Sequence, residues 1–219
     1  AFRVRGETAR DRTMSADLAF ACQCGTVTGA MLCVGPDHGD HVVCHCTDCQ
    51  NLTHYLGHAD ILDAQGGTAL YQSRCARMKL HSGRERLACV HLTDKPTLRW
   101  YADCCRTPLF NSYRNGKIPY ITTQLAACDP AARERLTGPP LGHLFTADGI
   151  GDTSAMSKMS MGKLMRRFFP RMIRDMLSGD RRRCELFDAK TLEPITAPYR
   201  LTEQERYALR RGSDRRATP

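Results

Sequence analysis

The stretch Cys44-His45-Cys46-Thr47-Asp48-Cys49 decides the class of this chain, because it brings three thiols into one short segment. Two more cysteine-rich segments accompany it, Cys22-Gln23-Cys24-Gly25 upstream and Cys104-Cys105 downstream. Zinc favours tetrahedral thiolate sites that take their ligands from two short segments. In an extended segment, side chains at i and i+2 project from the same face, so each Cys-x-Cys is a plausible half-site. The sequence therefore predicts metal binding, with His45 pointing away from that metal.

Composition and the lack of long apolar segments indicate the cellular compartment of the protein. The chain has 219 residues, enough for one large or two small domains, and 12 cysteines whose tight clustering favours a metal over disulfide bridges. Residues 1–12 contain arginines but no continuous apolar core of a signal peptide, and no apolar run is long enough to span a bilayer. We therefore predict a cytoplasmic protein without a transmembrane segment, whose thiols are ligands. Met14 precedes the first apolar alternation, so we expect residues 1–15 to be a disordered or non-native extension.

Short alternating segments predict a β domain over residues 16–126. Leu18, Phe20 and the cysteines after them alternate with small or polar residues, and a hairpin is expected to continue to Val34 and close at Gly35-Pro36-Asp37. No long helical period occurs before Asp129, so this half is predicted to be all-β. The further strands are predicted over residues 42–46, 68–72, 87–92, 97–101 and 118–124.

Residues 127–219 are predicted to form a basic extension of helices and loops. Asp129-Pro130 is typical of a helix start and predicts a helix through Leu136, whereas residues 146–162 are typical of a loop. Pro170 should kink or split the following helix, and the sequence from Thr202 to Glu205 predicts a capping box for a last helix. We expect the apolar stripe of the Pro170 helix to pack on the β domain rather than on a membrane. The stripe consists of Met161, Leu164, Met165, Phe168, Met172 and Met176.

The cysteine motifs resemble those of the glutathione-dependent formaldehyde-activating enzymes (GFA) and their relative centromere protein V. That family has C-x-C-G, then C-H-C-x-x-C, then C-x-x-C-G-T-P-L; the counterparts here begin at Cys22, Cys44 and Ala102. The resemblance covers residues 18–125 and implies a mainly β, Mss4-like zinc-binding fold called a β-tent. It also implies two zinc ions. A closed site would use Cys22, Cys24 and Cys105, and an open site would use Cys44, Cys46 and Cys49.

The same resemblance implies a function at the open site. Three thiolates leave one zinc coordination position free for a substrate thiol, which zinc would deprotonate. The implied activity is that of a carbon–sulfur lyase acting on thiol–aldehyde adducts such as S-hydroxymethylglutathione, with glutathione as the thiol and Cys44, Cys46 and Cys49 as the catalytic site. The alternative is a non-catalytic zinc module whose basic tail binds nucleic acid or an acidic partner, since the net charge is +9. An iron–sulfur cluster, a thioredoxin-like centre and a secreted disulfide scaffold rank lower.

Three positions depart from the family pattern. Ala102 replaces the first cysteine of the third motif, Arg106 replaces its glycine, and Gln50 stands where an arginine often follows C-H-C-x-x-C. Cys104 is adjacent to Cys105, and neighbours on a strand face opposite sides, so Cys104 can be a ligand only if a turn re-aims it. Otherwise the fourth ligand of the closed site would come from another residue. The candidates are Cys75, Cys89 and His91.

Other cysteines and histidines have simpler expected roles. Isolated cysteines are most often small buried hydrophobes, which is the role we expect for Cys33, Cys128 and Cys184. His54 and His58 follow the open site closely and are expected to line it or to support its ligands.

Overall fold

A computed structural model describes residues 16–209, which begin with an antiparallel hairpin. Strand β1 (Ala16–Ala21) pairs with β2 (Thr28–Val34), and Leu18 and Phe20 are buried whereas their neighbours in β1 are exposed. The antiparallel pairing of β1 with β2 therefore confirms the hairpin that the alternation of apolar residues predicted. Strand β5 (Met78–Ser82), which was not predicted, pairs with β2 and completes a sheet in the order β1-β2-β5.

The second sheet has eight strands within the described residues: β3 (Asp40–Cys44), β4 (Thr68–Arg74), β6 (Leu87–His91), β7 (Thr97–Ala102), β8 (Pro108–Tyr113), β9 (Tyr120–Gln124), β10 (His143–Leu144) and β11 (Tyr199–Arg200). They lie in the order β10-β3-β4-β9-β8-β7-β6-β11. The two outermost strands pair in parallel with β3 and β6, and the inner pairs are antiparallel. The strands predicted near residues 42, 68, 87, 97 and 118 are confirmed, so the described chain is mainly β.

The main hydrophobic core lies between the two sheets. Leu18 and Phe20 of the small sheet join Trp100, Phe110 and Ile121 of the large sheet in one cluster of buried side chains. The rings of Phe20 and Phe110 meet edge to face with centroids 5.0 Å apart, an arrangement that aromatic pairs prefer. Because side chains alternate along a strand, the opposite face of the large sheet is left for other contacts.

Helix α1 (Thr47–Leu56) corrects the prediction that the first half is all-β. It follows β3 directly, and its first turn contains Cys49. Cys46 occupies the N-cap position without a side-chain capping hydrogen bond, so the usual Ser, Thr, Asp or Asn signal of a helix start is missing from the sequence. Leu52 and Leu56, one turn apart, are its buried leucines.

The C-terminal helices largely follow the prediction. Helix α2 (Pro130–Thr137) begins as expected, with the Asp129 carboxylate accepting a hydrogen bond from the Ala132 amide. Helix α3 (Met161–Leu177) continues through Pro170, so proline does not split it. Residues 203–209 form a last described helix, and Thr202 and Glu205 make the reciprocal bonds of a capping box. None of the helices within residues 16–209 is long and apolar enough to cross a membrane.

Helix α3 packs across the large sheet. Leu164 and Phe168 are buried against the β domain, as predicted for the stripe, whereas Met161 and Met176 are exposed. Asp40 of β3 is fully buried and forms ion pairs with Arg167 and Arg171 of α3. The helix is therefore held by apolar contacts and by a buried carboxylate.

A disulfide between Cys75 and Cys184 ties this C-terminal region to the β domain. The two Cα atoms are 5.2 Å apart, within the usual range for a disulfide. The bridge corrects two expectations: Cys75 is not available as a metal ligand, and Cys184 is not an isolated thiol. The two cysteines are 109 residues apart, so no local pattern indicates the pairing.

Candidate metal centres and the adjoining cavity

The first cysteine cluster joins the end of β1 to the turn between β7 and β8. Cys22 and Cys24 meet Cys104 and Cys105, with all four sulfurs within 4.8 Å of one another. A turn after Ala102 brings the Cys104 side chain to Cys22 and Cys24, so Cys104 can be a ligand of the same metal as Cys105. The cluster thus contains four thiols, and within the described residues Cys89 and His91 lie outside it.

The sulfur geometry of this cluster fits a metal ion. Sulfur–sulfur distances are 3.5 Å for Cys22–Cys24, 3.8 Å for Cys22–Cys104 and 3.3 Å for Cys24–Cys104. A tetrahedral zinc with Zn–S bonds of about 2.3 Å has edges of about 3.8 Å. The Val27 amide also donates a hydrogen bond to Cys22 Sγ. Hydrogen bonds from Thr26, with smaller effects from Cys104 and Cys22, lower the pKa of Cys24 to about 6 and favour its thiolate.

The second cluster lies where β3 passes into α1. Cys44 ends the strand, Cys46 is the N-cap of the helix and Cys49 is in the first turn, so the predicted extended run is bent here. The three sulfurs lie within 4.8 Å of one another, with 3.6 Å between Cys49 and Cys44. Cys44 and Cys49 are buried, and Cys46 is partly exposed. Three thiols satisfy three of the four positions of a tetrahedral metal.

Positive charge faces the second cluster. The buried Arg99 guanidinium donates to Cys49 Sγ at 3.5 Å, and the N-terminus of α1 adds the positive end of its dipole. Hydrogen bonding with Cys44 and Cys46, together with Arg99, lowers the pKa of Cys49 well below the usual value of a thiol. Hydrogen bonding to Cys46 and Cys49 together with burial raises the pKa of Cys44. A bound cation would stabilise all three as thiolates.

A cavity of about 390 Å³ opens beside the three-thiol cluster. Its floor is the face of the large sheet that points away from the main core. A row of directly paired residues crosses four neighbouring strands there: Gln72 on β4, Thr122 on β9, Asn111 on β8 and Arg99 on β7. Helix α3 supplies an apolar wall opposite. The wall residues are Met161, Leu164 and Met165.

The sequence did not indicate the cavity floor. Polar residues at alternate strand positions are typical of a face in contact with solvent, and only the covering helix places these side chains inside the protein. Tyr120 also lines the cavity, and burial raises its pKa to about 12, so it stays protonated at neutral pH. Asp48, at the cavity edge, pairs with Lys95 at 2.9 Å.

The predicted supporting residues lie in several places. His45 is buried away from the cluster, as expected, with its Nε2 2.9 Å from His143 Nδ1. His58 is not among the residues around the second cluster's cavity; its Nε2 lies 3.1 Å from the Cys105 carbonyl oxygen of the first cluster. His54 also lies outside the cavity lining. Cys128 is buried as predicted, whereas Cys33 is exposed, which corrects its expected burial.

Two of the three substituted motif positions, Arg106 and Gln50, have structural consequences. Arg106 adopts a φ of +59°, the left-handed region that glycine tolerates best, and its guanidinium lies over the Tyr55 ring at 5.0 Å. Gln50 donates through Nε2 to the carbonyl oxygens of His45 at 2.7 Å and Asp148 at 2.8 Å. Gln50 therefore joins α1 to the segment after β10, whose residue Asp148 also lines the cavity.

Fold and site together define a mainly β protein with two cysteine clusters, each of which could hold a metal ion. The chain belongs to the family of unknown function DUF6151, whose model matches residues 14–195. No curated protein matches the chain. A crystal structure of a Rhodobacter sphaeroides protein, solved as a structural-genomics target, is 17% identical with a TM-score of 0.37, over 54% of this chain and 97% of its own. A likeness at that TM-score carries no inference about fold or function.

Proposed function

We propose that this chain is a zinc-binding protein of the β-tent type, with a structural zinc at Cys22, Cys24, Cys104 and Cys105 and a reactive zinc at Cys44, Cys46 and Cys49. The proposed activity is that of a carbon–sulfur lyase on thiol–aldehyde adducts, as in the formaldehyde-activating enzymes that the motifs resemble. One observation carries the proposal: the three-thiol cluster borders a cavity, whereas the other cluster already has four thiols.

The donor sets support zinc in both places. Four thiolates complete a tetrahedral shell and suit a structural ion, while three thiolates leave a position for a substrate. When bound at the second cluster, zinc would supply a Lewis acid that favours the thiolate form of an incoming thiol. Cys44, Cys46 and Cys49 would hold it, and Arg99 would offset part of the negative charge of their sulfurs.

The chain's own residues fit the proposed chemistry. In the adduct-forming direction, the substrate sulfur bonds to the aldehyde carbon, the π pair of the carbonyl moves to oxygen, and that oxygen takes the proton released by the thiol. Cleavage reverses each of these steps. Protonated Tyr120 in the cavity is a hydrogen-bond donor for the developing alkoxide. The apolar wall of α3 limits the access of water to the reacting groups.

The test is the rate of adduct formation from glutathione and formaldehyde with the purified zinc-loaded protein. We expect a rate above the spontaneous reaction that is lost in Cys46→Ser and kept in Cys33→Ser, whose thiol is exposed and outside both clusters. A rate equal to the spontaneous one would refute this substrate pair.

The described part of the basic tail gives little support to the alternative function, in which this tail binds nucleic acid. Arg167 and Arg171 are engaged with Asp40, and Arg182 donates to the carbonyl oxygens of Ala189 and Lys190. These three arginines therefore make contacts that stabilise the fold. DNA binding that weakens steeply with salt would nevertheless favour the alternative.

A further inference from the structure

The cavity floor contains polar atoms that the protein leaves unpaired. Gln72 is only 1% exposed, and neither its Oε1 nor its Nε2 has a hydrogen-bond partner within residues 16–209. Asn111 is equally buried; its Nδ2 donates to Thr122 Oγ1 at 2.8 Å, while its Oδ1 has no partner among the same residues. Gln72 and Asn111 both flank Thr122 in the strand register. Unpaired acceptors and donors are therefore concentrated at one place on the floor.

Buried polar groups without partners are unfavourable, and most buried polar atoms in folded proteins are paired. The unpaired set at this place has a definite hydrogen-bonding character. Asn111 Oδ1 is oriented by the bond from Nδ2 and can only accept, while Gln72 offers one acceptor and one amide donor group. A complementary ligand must bring both a donor and an acceptor.

The charges around the cavity favour an uncharged ligand group. A divalent ion together with the Arg99 guanidinium would balance three thiolates, and Lys95 is paired with Asp48. Among the described residues that line the cavity, no cation is therefore left over for a carboxylate at the floor, where a buried charge without a partner is strongly unfavourable. A secondary amide supplies one donor and one acceptor without charge.

We propose that the cavity binds a small thiol that carries an uncharged amide, with the amide seated on Gln72 and Asn111 at the floor. Its N–H donates to Asn111 Oδ1 or Gln72 Oε1, and its carbonyl accepts from Gln72 Nε2. The inference rests on the proposed function only in placing the sulfur at the three-thiol cluster. The linking methylenes lie against Leu164 and Met165, and a cavity of about 390 Å³ is within the range of small-molecule sites.

The experiment separates the amide site from the sulfur site by using three probes on the zinc-loaded full chain. N-Acetylcysteamine has both groups, N-ethylacetamide lacks the sulfur, and 2-mercaptoethyl acetate replaces the amide N–H with oxygen. Affinities are measured by titration followed by protein NMR. We expect N-acetylcysteamine to bind most tightly, and the ester to bind about tenfold more weakly, because it leaves an acceptor of the floor unpaired.

Two variants report on the floor itself. Gln72→Leu should weaken N-acetylcysteamine about tenfold while raising the melting temperature of the ligand-free protein, because an unpaired amide is removed. Gln204→Leu, the same substitution at an exposed position outside the cavity lining, should leave both nearly unchanged. A lower melting temperature in Gln72→Leu with unchanged affinity would overturn the proposal, since it would show that ordered water already satisfies Gln72.

The outcomes for the two proposals differ. In one outcome, N-ethylacetamide binds wild type and loses affinity in Gln72→Leu, while N-acetylcysteamine binds no more tightly than N-ethylacetamide. The amide site then stands, and the reactive zinc site of the proposed function fails. If both thiols bind equally and N-ethylacetamide does not bind, the amide inference is overturned while the thiol site stands.

Discussion

Replacing Asp40 by asparagine should detach α3 from the large sheet. The Asp40 carboxylate is fully buried and carries the charge that neutralises two arginines of α3. Asparagine has nearly the same shape but no charge, so Arg171 would be left partly buried without a counter-ion. Burial already lowers the pKa of Arg171, which shows that its charged form is disfavoured there.

The expected loss follows from the exposure of each partner. Breaking a buried ion pair by removing one partner typically costs about 3–5 kcal/mol. The Arg171 side chain is 16% exposed and that of Arg167 is 40% exposed, so the Arg167 contribution is closer to that of a surface pair, about 0–1 kcal/mol. We therefore expect Asp40→Asn to lower the free energy of unfolding by about 3 kcal/mol, and Arg171→Met to have a larger effect than Arg167→Met.

Urea denaturation gives the global change, and amide hydrogen exchange shows whether α3 opens locally. The control is Asp94→Asn, because Asp94 pairs with Arg200 and Arg206 but its side chain is 85% exposed; it should lose less than about 1 kcal/mol. Equal effects of the two substitutions, or unchanged exchange in α3 of Asp40→Asn, would refute the reasoning.

Two further predictions concern pH and the disulfide. Burial is the main reason that the pKa of His41 is lowered, so the folded state binds fewer protons at acidic pH than the unfolded state does. The free energy of unfolding should therefore fall as pH drops from about 6.5 toward the lowered pKa of His41, and this fall should be smaller in His41→Gln; identical pH profiles in denaturation would contradict the assignment. Cys184→Ser should cost about 2–5 kcal/mol relative to oxidised wild type but little relative to reduced wild type, as measured by urea denaturation. A disulfide lowers the intact mass by two hydrogens. A native protein with the mass of the fully reduced chain would therefore contradict the bridge and would agree with the predicted cytoplasmic location.

The sequence predicted those parts of the molecule that depend on local pattern. Leu18 and Phe20 alternate with exposed neighbours, so their strand was evident, and the Asp129-Pro130 start and the Thr202 capping box are signals contained in a few residues. Cysteines close in sequence also indicated the three-thiol cluster and the two halves of the other cluster, whereas the joining of those halves was implied by the family resemblance.

Other features depend on contacts between distant residues. The pairing of Cys75 with Cys184 joins segments that have no pattern in common. The cavity floor became internal only because Asp40 and the apolar residues of α3 hold that helix across the sheet. Helix α1 was missed because Cys46, rather than a Ser or Asp, occupies its N-cap. In each case tertiary packing decided the structure where local propensity was weak or misleading.

Native mass spectrometry of the zinc-loaded protein tests the central claim, that two separate metal sites exist and only one of them is open. Wild type and Cys33→Ser should each carry two zinc ions, and Cys46→Ser should carry one while keeping its circular dichroism spectrum, because the four-thiol cluster does not use Cys46. A single zinc ion in wild type, or loss of both ions and of the fold in Cys46→Ser, would contradict the account.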